Sequence, residues 1–298
     1  MRLVSFALGG RPAFGAVKGH GIVNLTPHLA AQGIPTLRGL LAAGALDAAR
    51  GIVAGAAPDL ELDGIAFLPV IPDPDKIICI GLNYRDHVVE TGRTVTEHPA
   101  LFGRFAGSQV GHLQAMVKPG CSDEFDYEGE LAVVIGTAGR HIPAGQALAH
   151  VAGYSCYNEG SVRDWQRHTG QFLAGKTFAG TGAFGPWLVT ADEIPDPSGL
   201  ALETRLNGAV VQRGDTGQMI TAVPELIAYC STILPLLPGD VIVTGTPAGV
   251  GAKRTPPLWL RAGDVVEVEI ERIGCLRNPV VNEDMVSGTQ PARTLTTA

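Results

Sequence analysis

The chain has 298 residues, of which 22 are Lys or Arg and 29 are Asp or Glu, so its formal net charge is −7. This acidic balance argues against a nucleic-acid-binding protein, which normally carries a basic stripe. Hydrophobic residues make up 45% of the chain and charged residues 17%, which suffices for a sizeable core and excludes a wholly disordered chain. The 39 glycines and 21 prolines indicate many turns and favour a strand-rich fold.

Five cysteines are spread along the chain without a CxxC pair, which predicts reduced thiols rather than a disulfide framework. The apolar N-terminal stretch is short and is broken by Gly9 and Gly10, so it predicts a first strand rather than a signal peptide. No apolar run approaches the roughly 18–20 residues that a membrane span needs. We therefore expect a soluble, cytoplasmic protein that binds neither nucleic acid nor a membrane.

Residues 1–70 predict a small packing domain of mixed α and β structure. Two short apolar runs, Ala13–Val17 and Gly21–Leu25, predict paired strands, and the apolar spacing from Thr36 to Gly51 predicts a helix that starts near Thr36. Three closely spaced prolines then break any regular element. We place a domain boundary there, so that residues 71–298 form the second domain.

The second domain is predicted to be β-rich, without the regular strand–helix alternation of a doubly wound sheet. Four apolar or alternating runs predict strands, and two stretches with helical spacing predict helices. The strands are predicted at Lys76–Gly81, Gly129–Gly136, Asp240–Gly245 and Asp264–Ile270, and the helices at Val162–His168 and Pro224–Leu234.

Two carboxylates, those of Glu128 and Glu130, open a predicted strand two residues apart, so their side chains point to one face. Like charges in one space repel unless a cation lies between them, and carboxylate oxygens suit Mg²⁺ or Mn²⁺. Glu159, just before a predicted helix, would complete a three-carboxylate site. The alternative is a solvated pair at a strand edge, and the spacing alone leaves both open.

Two pairs of polar residues have helical i, i+3 spacing. Glu90 follows His87 at this distance, and a carboxylate that holds one imidazole nitrogen orients the ring as a general base. Gln166 follows Arg163 in the same way, and these two side chains, with Lys176, could bind a carboxylate or stabilise an enolate. The alternative in each case is an exposed helix face without a chemical role.

A glycine-rich stretch follows the strand predicted to end at Gly245. It lacks the Gly-Lys-Ser/Thr ending of a phosphate-binding loop, so we expect a tight turn that places Thr246 beside a ligand. A nucleophile elbow and a dinucleotide-binding fingerprint are both missing from the sequence, which argues against a serine hydrolase and a nicotinamide-dependent dehydrogenase.

Taken together, the motifs resemble those of the fumarylacetoacetate hydrolase family. The matching segments are Gly81–His87, Asp126–Leu131, Tyr157–Gln166, Gly239–Pro247 and Gly263–Val268. The resemblance runs from about Lys76 to Glu283, and residues 1–70 look like the small N-terminal domain that bacterial members often carry. It implies an α+β fold that is mostly β, a mixed β-roll, usually assembled as a homodimer.

The resemblance also implies a metal site. By motif position, one Mg²⁺ or Mn²⁺ would be held by three carboxylates, those of Glu128, Glu130 and Glu159. The family usually has Asp at the position of Glu159, so the longer side chain puts the affinity for the metal and the choice of metal in question.

By the same resemblance, His87 and Glu90 would form a dyad that activates water, on a segment that in relatives often becomes ordered as a lid. Four further side chains would contribute to the pocket, with Lys176 acting in catalysis beside three substrate-binding residues, Arg163, Gln166 and Thr246. We expect residues 91–111 and 208–219 to set the specificity for the tail of the substrate.

These implications lead us to expect a metal-dependent enzyme that hydrolyses a carbon–carbon bond in a small β-diketo acid such as an acylpyruvate, a chemistry typical of aromatic-compound breakdown. Water activated by the dyad would attack the distal carbonyl, and the metal, Lys176 and Gln166 would stabilise the enolate that leaves. Decarboxylases, isomerases or tautomerases, and hydratases of the same family share this chemistry and stay as alternatives. An inactive metal-binding homologue is a further alternative, suggested by Glu159.

Overall fold

Strands dominate residues 1–286, the part of the chain that the computed structural model describes. Short α-helices and 3-10 helices connect them. The strands are β1 (Arg2–Leu8), β2 (Arg11–Lys18), β3 (Gly21–Asn24), β4 (Leu60–Glu61), β5 (Ala66–Phe67), β6 (Ile77–Gly81), β7 (Ala100–Arg104), β8 (Gln109–Val110), β9 (Met116–Lys118), β10 (Phe125–Asp126), β11 (Gly129–Ile135), β12 (Val151–Glu159), β13 (Ser161–Val162), β14 (Gly182–Thr190), β15 (Ala201–Leu206), β16 (Ala209–Asp215), β17 (Val241–Val243), β18 (Val265–Ile270) and β19 (Gly274–Asn282). The α-helices are α1 (Thr26–Leu29), α2 (Leu37–Ala42), α3 (Leu46–Gly55), α4 (Arg85–Glu90), α5 (Arg163–Gln166), α6 (Leu173–Lys176) and α7 (Val223–Ile233).

A twelve-stranded mixed sheet carries most of these strands, in the order β4-β3-β2-β1-β14-β12-β11-β17-β6-β7, with β5 paired to β1 and β8 paired to β14. Within it β17 runs parallel to β6 and β8 parallel to β14. A five-stranded sheet has the order β16-β15-β18-β19-β9, and β10 pairs with β13. The expectation of a mostly β, mixed-sheet fold is confirmed.

Strand β11 shows how the large sheet becomes the middle layer, since all seven of its residues are buried. Leu131, Val133 and Ile135 point into a core shared with the five-stranded sheet. Ala132 and Val134 point the other way, into a core shared with the N-terminal helices. Successive strand residues face opposite sides, so residues 131–135, which are covered on both sides, are all apolar.

Residues 1–70 extend this large sheet, because β1 pairs with β14 through Arg2 opposite Val189 and Leu3 opposite Leu188. The two predicted strands are confirmed as β2 and β3. Whether residues 1–70 fold as a domain of their own stays a prediction.

The helix predicted over residues 36–51 is wrong in one respect, because the structure has two helices, α2 and α3, in this region. Gly44 has a φ of +61°, a left-handed conformation that ends a helix. The predicted start is confirmed: the Thr36 hydroxyl accepts a hydrogen bond from the Gly39 N–H at 3.0 Å and caps α2.

The elements predicted after residue 75 are confirmed as β6, β11, β17, β18, α5 and α7, with α5 shorter than the predicted helix. All five cysteines are free thiols, as the sequence predicts. Among the described residues, none of the helices combines the length and apolar character that crossing a bilayer requires.

Candidate active site

Three carboxylates meet where β11 and β12 adjoin. Glu130 lies in β11, Glu128 just before it, and Glu159 is the last residue of β12. The antiparallel register pairs Gly129 with Asn158, which places Glu128 directly opposite Glu159, and the Glu159 N–H donates to the Glu128 carbonyl at 2.8 Å. Directly opposed residues project to the same face of a sheet. One carboxylate oxygen from each of the three residues lies within 4.8 Å of the other two.

These carboxylates are buried, with 4%, 1% and 1% of Glu128, Glu130 and Glu159 exposed. The alternative of a solvated pair at a strand edge is therefore wrong. An unpaired buried charge is costly, and two cations offset it here. The Lys176 ammonium donates to Glu128 Oε2 and to Glu159 Oε2, both at 2.7 Å, and the Arg163 guanidinium pairs with the other oxygen of Glu128.

The environment separates the carboxylates in acidity. Burial alone would raise the pKa of Glu128, but the charges of Arg163 and Lys176 outweigh burial and hold this pKa well below its ordinary range. Glu130 accepts a hydrogen bond from the Gly245 N–H. Burial, followed by the neighbouring charges of Glu159 and Glu128, raises the pKa of Glu130 well above its ordinary value. An additional cation near Glu130 would reverse that shift.

A divalent metal fits this cluster. Oxygen Oε1 of Glu159 is buried and has no hydrogen-bond partner among the described residues, so its lone pairs are available to a cation. The donor set consists of carboxylate oxygens only, which are the ligands preferred by hard cations such as Mg²⁺ and Mn²⁺. Glu128, Glu130 and Glu159 are the residues that would hold the ion.

Lys176 stays charged at this site. Burial alone would lower the pKa of Lys176, but Glu128 and then Glu159 raise it above its ordinary value. An ammonium group has three N–H donors, and the two carboxylates accept two of them. The third can bind a ligand in the cavity that Lys176 lines.

The predicted dyad forms on helix α4. His87 Nδ1 lies 3.1 Å from Glu90 Oε2, and the Gly249 N–H donates to the other oxygen of Glu90 at 2.9 Å. Gly249 is required there: its φ is +106°, and a Cβ would lie 2.4 Å from the Val211 carbonyl oxygen. Since Glu90 holds Nδ1, the second ring nitrogen of His87 is left for a substrate or a water.

A single cavity of about 560 Å³ joins these groups. Eight of the nine predicted site residues line it, and Glu90 lies behind His87 and orients its ring. The eight are His87, Glu128, Glu130, Glu159, Arg163, Gln166, Lys176 and Thr246. Of the segments expected to contact the tail of the substrate, residues 91–111 contribute Thr91, Arg93 and Phe102 to the lining, whereas residues 208–219 contribute none.

Two predicted pocket residues have hydrogen-bond partners within the protein. The Thr246 hydroxyl donates to the Gly129 carbonyl at 2.9 Å and accepts from Gln212 Nε2 at 2.8 Å, so it braces the start of β11. Gln166 Oε1 accepts from the Arg163 guanidinium at 2.9 Å, which leaves the amide N–H groups of Gln166 for a ligand.

Sequence reasoning missed a role for Asp126. Its carboxylate accepts from Arg163 Nε at 2.8 Å and from the N–H groups of Gly251 and Ala252 at 2.7 and 3.0 Å. Asp126 therefore orients the guanidinium against Glu128. The available signal was its place in the motif that contains Glu128, at the same two-residue spacing.

Residues 76–281 match the family model described as fumarylacetoacetate (FAA) hydrolase C-terminal. Over 226 residues the chain is 47% identical to a mitochondrial oxaloacetate tautomerase of Homo sapiens. This alignment covers 75% of this chain and 72% of that protein. A solved structure of a putative HpcE protein from Mycobacterium smegmatis is similar with a TM-score of 0.85 at 37% identity, covering 95% of this chain and 100% of that one.

A maleylpyruvate hydrolase from Sphingobium sp. SYK-6, solved with a manganese(II) ion and pyruvate, is similar with a TM-score of 0.78 at 27% identity over 95% of this chain and 99% of that one. The family model covers most of the chain, and the same segment holds the carboxylate cluster and the dyad. The chain belongs to the fumarylacetoacetate hydrolase family.

Proposed function

We propose that this protein is a divalent-metal-dependent tautomerase that interconverts the keto and enol forms of a small keto acid, with oxaloacetate as its substrate. The observation that carries the proposal is the His87–Glu90 pair on the wall of a cavity that also contains Lys176 and a metal-competent carboxylate cluster. The identity of 47% to an oxaloacetate tautomerase supports the choice of reaction and substrate.

A keto–enol exchange moves one proton between a carbon atom and the neighbouring oxygen. His87 would take the proton from the carbon next to the keto group and return it to the oxygen. Glu90 would hold the ring in one tautomer and stabilise the imidazolium that forms between these two steps. Since the Gly249 N–H fixes Glu90, the ring is positioned before substrate binds.

The enolate formed in between carries negative charge, which the cavity is built to stabilise. Arg163 and Gln166 would bind the carboxylate of the substrate, and the third N–H of Lys176 would donate to the enolate oxygen. When bound, a divalent ion supplies Lewis-acid stabilisation of the same charge.

Carbon–carbon bond hydrolysis of an acylpyruvate is the second candidate, as the sequence led us to expect. A cavity of about 560 Å³ leaves space for a water molecule beside a five-carbon acid such as acetylpyruvate, and the same dyad could activate this water. The similarity to a maleylpyruvate hydrolase supports this candidate. Hydrolysis would consume water and release two products, whereas tautomerisation changes only the position of a proton.

The experiment follows freshly dissolved enol oxaloacetate and, separately, acetylpyruvate by their absorbance, with Mg²⁺, with Mn²⁺ and with EDTA. We expect metal-dependent acceleration of the enol-to-keto conversion above the rate with metal alone, and no acetate from acetylpyruvate. His87→Asn should lower kcat/KM by roughly 10²–10⁴-fold, because a positioned general base contributes about that much. Release of acetate and pyruvate would instead establish hydrolysis.

The matched control is His20→Asn, which changes an exposed histidine outside the cavity and should leave turnover unchanged. Equal turnover by the wild type and His87→Asn would overturn the role of the dyad. If neither substrate is converted under any of the metal conditions, calorimetric binding of Mg²⁺ would identify an inactive metal-binding homologue.

We further propose a homodimer in which a second copy covers exposed apolar side chains. The family resemblance implies the dimer, and Val89, 73% exposed, and Phe105, 65% exposed, are apolar side chains that a second copy could cover. A monomeric mass in light scattering at micromolar concentration would exclude the dimer. The cytoplasmic location stays a prediction, and the human relative is named as mitochondrial.

A further inference from the structure

The side chains that line the cavity include more cations than carboxylates. Its lining contains three carboxylates but five permanently cationic side chains, in a protein whose formal net charge is −7. The five cations are Arg93, Arg163, Arg167, Lys176 and Lys253. A bound divalent ion would add to this excess. Such a cavity attracts anions of more than one charge.

Three of these cations already have carboxylate partners. Arg163 pairs with Asp126 and Glu128, Lys176 with Glu128 and Glu159, and Arg167 with Glu124. Arg93 and Lys253 form no ion pair with any residue in the 1–286 range. Both side chains are exposed, so they lie at the rim of the cavity. The paired Arg163 and Lys176 are buried, and together with the carboxylate cluster they form the floor of the cavity.

The position of Arg93 relative to the carboxylate cluster is set by an aromatic wall. The Arg93 guanidinium carbon lies 5.3 Å from the centroid of the Phe172 ring, and Phe172 packs edge-on against Phe102 with 5.6 Å between their centroids. On the other side, Lys176 Nζ lies 5.2 Å from the centroid of Phe102. An apolar surface therefore connects the charged floor to one unpaired cation at the rim.

Lys253 ends the 3-10 turn Gly251–Lys253. Asp126, which orients Arg163, also accepts the N–H groups of Gly251 and Ala252 in this turn. The backbone that carries Lys253 is therefore held by the carboxylate that positions a cation of the floor.

We propose that Arg93 and Lys253 form a second carboxylate-binding subsite, which makes the enzyme selective for keto diacids over keto monoacids. This inference rests on the proposed function and names the substrate class for the same cavity. The first carboxylate binds at the floor, near Arg163 and Lys176, and the second is directed outwards to the two unpaired cations. Because Arg93 already stacks on Phe172, its side chain loses less conformational entropy when it binds a carboxylate.

The test uses inert 2-hydroxy acids, which share one head group and differ in the second carboxylate. Lactate has one carboxylate, while malate and 2-hydroxyglutarate have two at increasing separation. Dissociation constants are measured by calorimetry with Mg²⁺ for the wild type, Arg93→Gln, Lys253→Gln and the double variant. Arg261→Gln is the control, because Arg261 is an exposed arginine outside the cavity.

The wild type should bind at least one diacid about tenfold more tightly than lactate, since a charge-assisted hydrogen bond contributes about that much. Each single variant should reduce the diacid-to-lactate ratio by about threefold to tenfold and the double variant should bring it near one, while Arg261→Gln leaves it unchanged. The diacid with the larger ratio reports the distance between the two carboxylate subsites.

Equal ratios in the wild type and the double variant would overturn the subsite. Because this readout is binding, it is independent of turnover. If the wild type does not convert oxaloacetate but the variants lose the preference for diacids, the subsite is supported and the tautomerase is rejected. Turnover of oxaloacetate with an unchanged ratio would retain the tautomerase and reject the subsite.

Discussion

The N-terminal region, residues 1–70, and the region that contains the candidate active site, residues 71–286, bury different types of side chain. In residues 1–70 the buried polar side chains are those of Ser5 and Asn24, and none of the buried side chains there is charged. Residues 71–286 bury nine Asp, Glu, His, Lys or Arg side chains: His87, Arg104, Asp126, Glu128, Glu130, Glu159, Arg163, Lys176 and Asp240. Burying charge is costly unless partners are present. The first region therefore stabilises the large sheet by apolar packing, while the second contains paired charges, several of which form the candidate active site.

The largest expected effect comes from breaking the charge network. Lys176→Met should destabilise the metal-free protein by about 3–5 kcal/mol, because Glu128 and Glu159 would lose the buried cation between them. Urea unfolding in EDTA measures this loss, and saturating Mg²⁺ should restore part of it by supplying another cation.

The control for this change is Arg213→Met, because the side chain of Arg213 is 74% exposed and pairs with Glu203 at 2.8 Å. It should cost no more than about 1 kcal/mol, since solvent screens such pairs. Equal losses for both variants would contradict the contrast between buried and surface charges.

A second prediction concerns the apolar region. Leu40 is fully buried beneath the large sheet, so Leu40→Ala should destabilise the protein by about 3 kcal/mol through a lost side chain and a remaining cavity. Turnover by the folded fraction should stay within twofold of the wild type, because Leu40 does not line the cavity. Leu8→Ala, at a 44% exposed leucine, is the control and should change stability by less than about 0.5 kcal/mol.

Denaturant midpoints and kcat, measured on the same preparations, test this separation. A Leu40→Ala protein that is stable but catalytically impaired would show that the N-terminal region acts on the site beyond its packing role.

The smallest effect is expected at the boundary between the regions, where the ring of His112 packs edge-on against Phe67 at 4.8 Å. Burial, followed by the charge of Arg277, lowers the pKa of His112 from its ordinary 6.5 to about 4. The unfolded chain therefore takes up a proton at higher pH than the folded protein does. The stability associated with neutral His112 is complete above pH 6.5 and is lost as the pH falls towards 4.

At pH 5 this loss amounts to about 2 kcal/mol relative to pH 7.5, by the linkage of proton uptake to unfolding. His112→Asn removes the titration and keeps an acceptor for the Arg277 N–H, which donates to His112 Nδ1 at 3.1 Å. Urea unfolding of both proteins at the two pH values should show the smaller decrease for the variant. Identical decreases would mean that His112 is protonated equally in the folded and unfolded states.

Local spacing was enough to predict several features of the fold and the site. The two-residue spacing of Glu128 and Glu130 predicted a shared face, and the three-residue spacing of His87 and Glu90 predicted their contact, because strand and helix periods act over a few residues. The helix break at Gly44 was missed, since an apolar spacing does not show the backbone angle at a single glycine.

The sequence by itself determined the identity of the chemical groups and their neighbours along the chain: the carboxylate pair, the dyad, the capping Thr36 and the apolar run at residues 131–135 of β11. Only the tertiary structure decided which distant groups meet. The register of β11 with β12 placed Glu159 opposite Glu128, and chain folding brought Lys176 between them and left Arg93 without a carboxylate partner among residues 1–286. The physical reason is that periodicity constrains nearby residues, whereas strand register and the pairing of buried charges depend on the packing of the whole sheet.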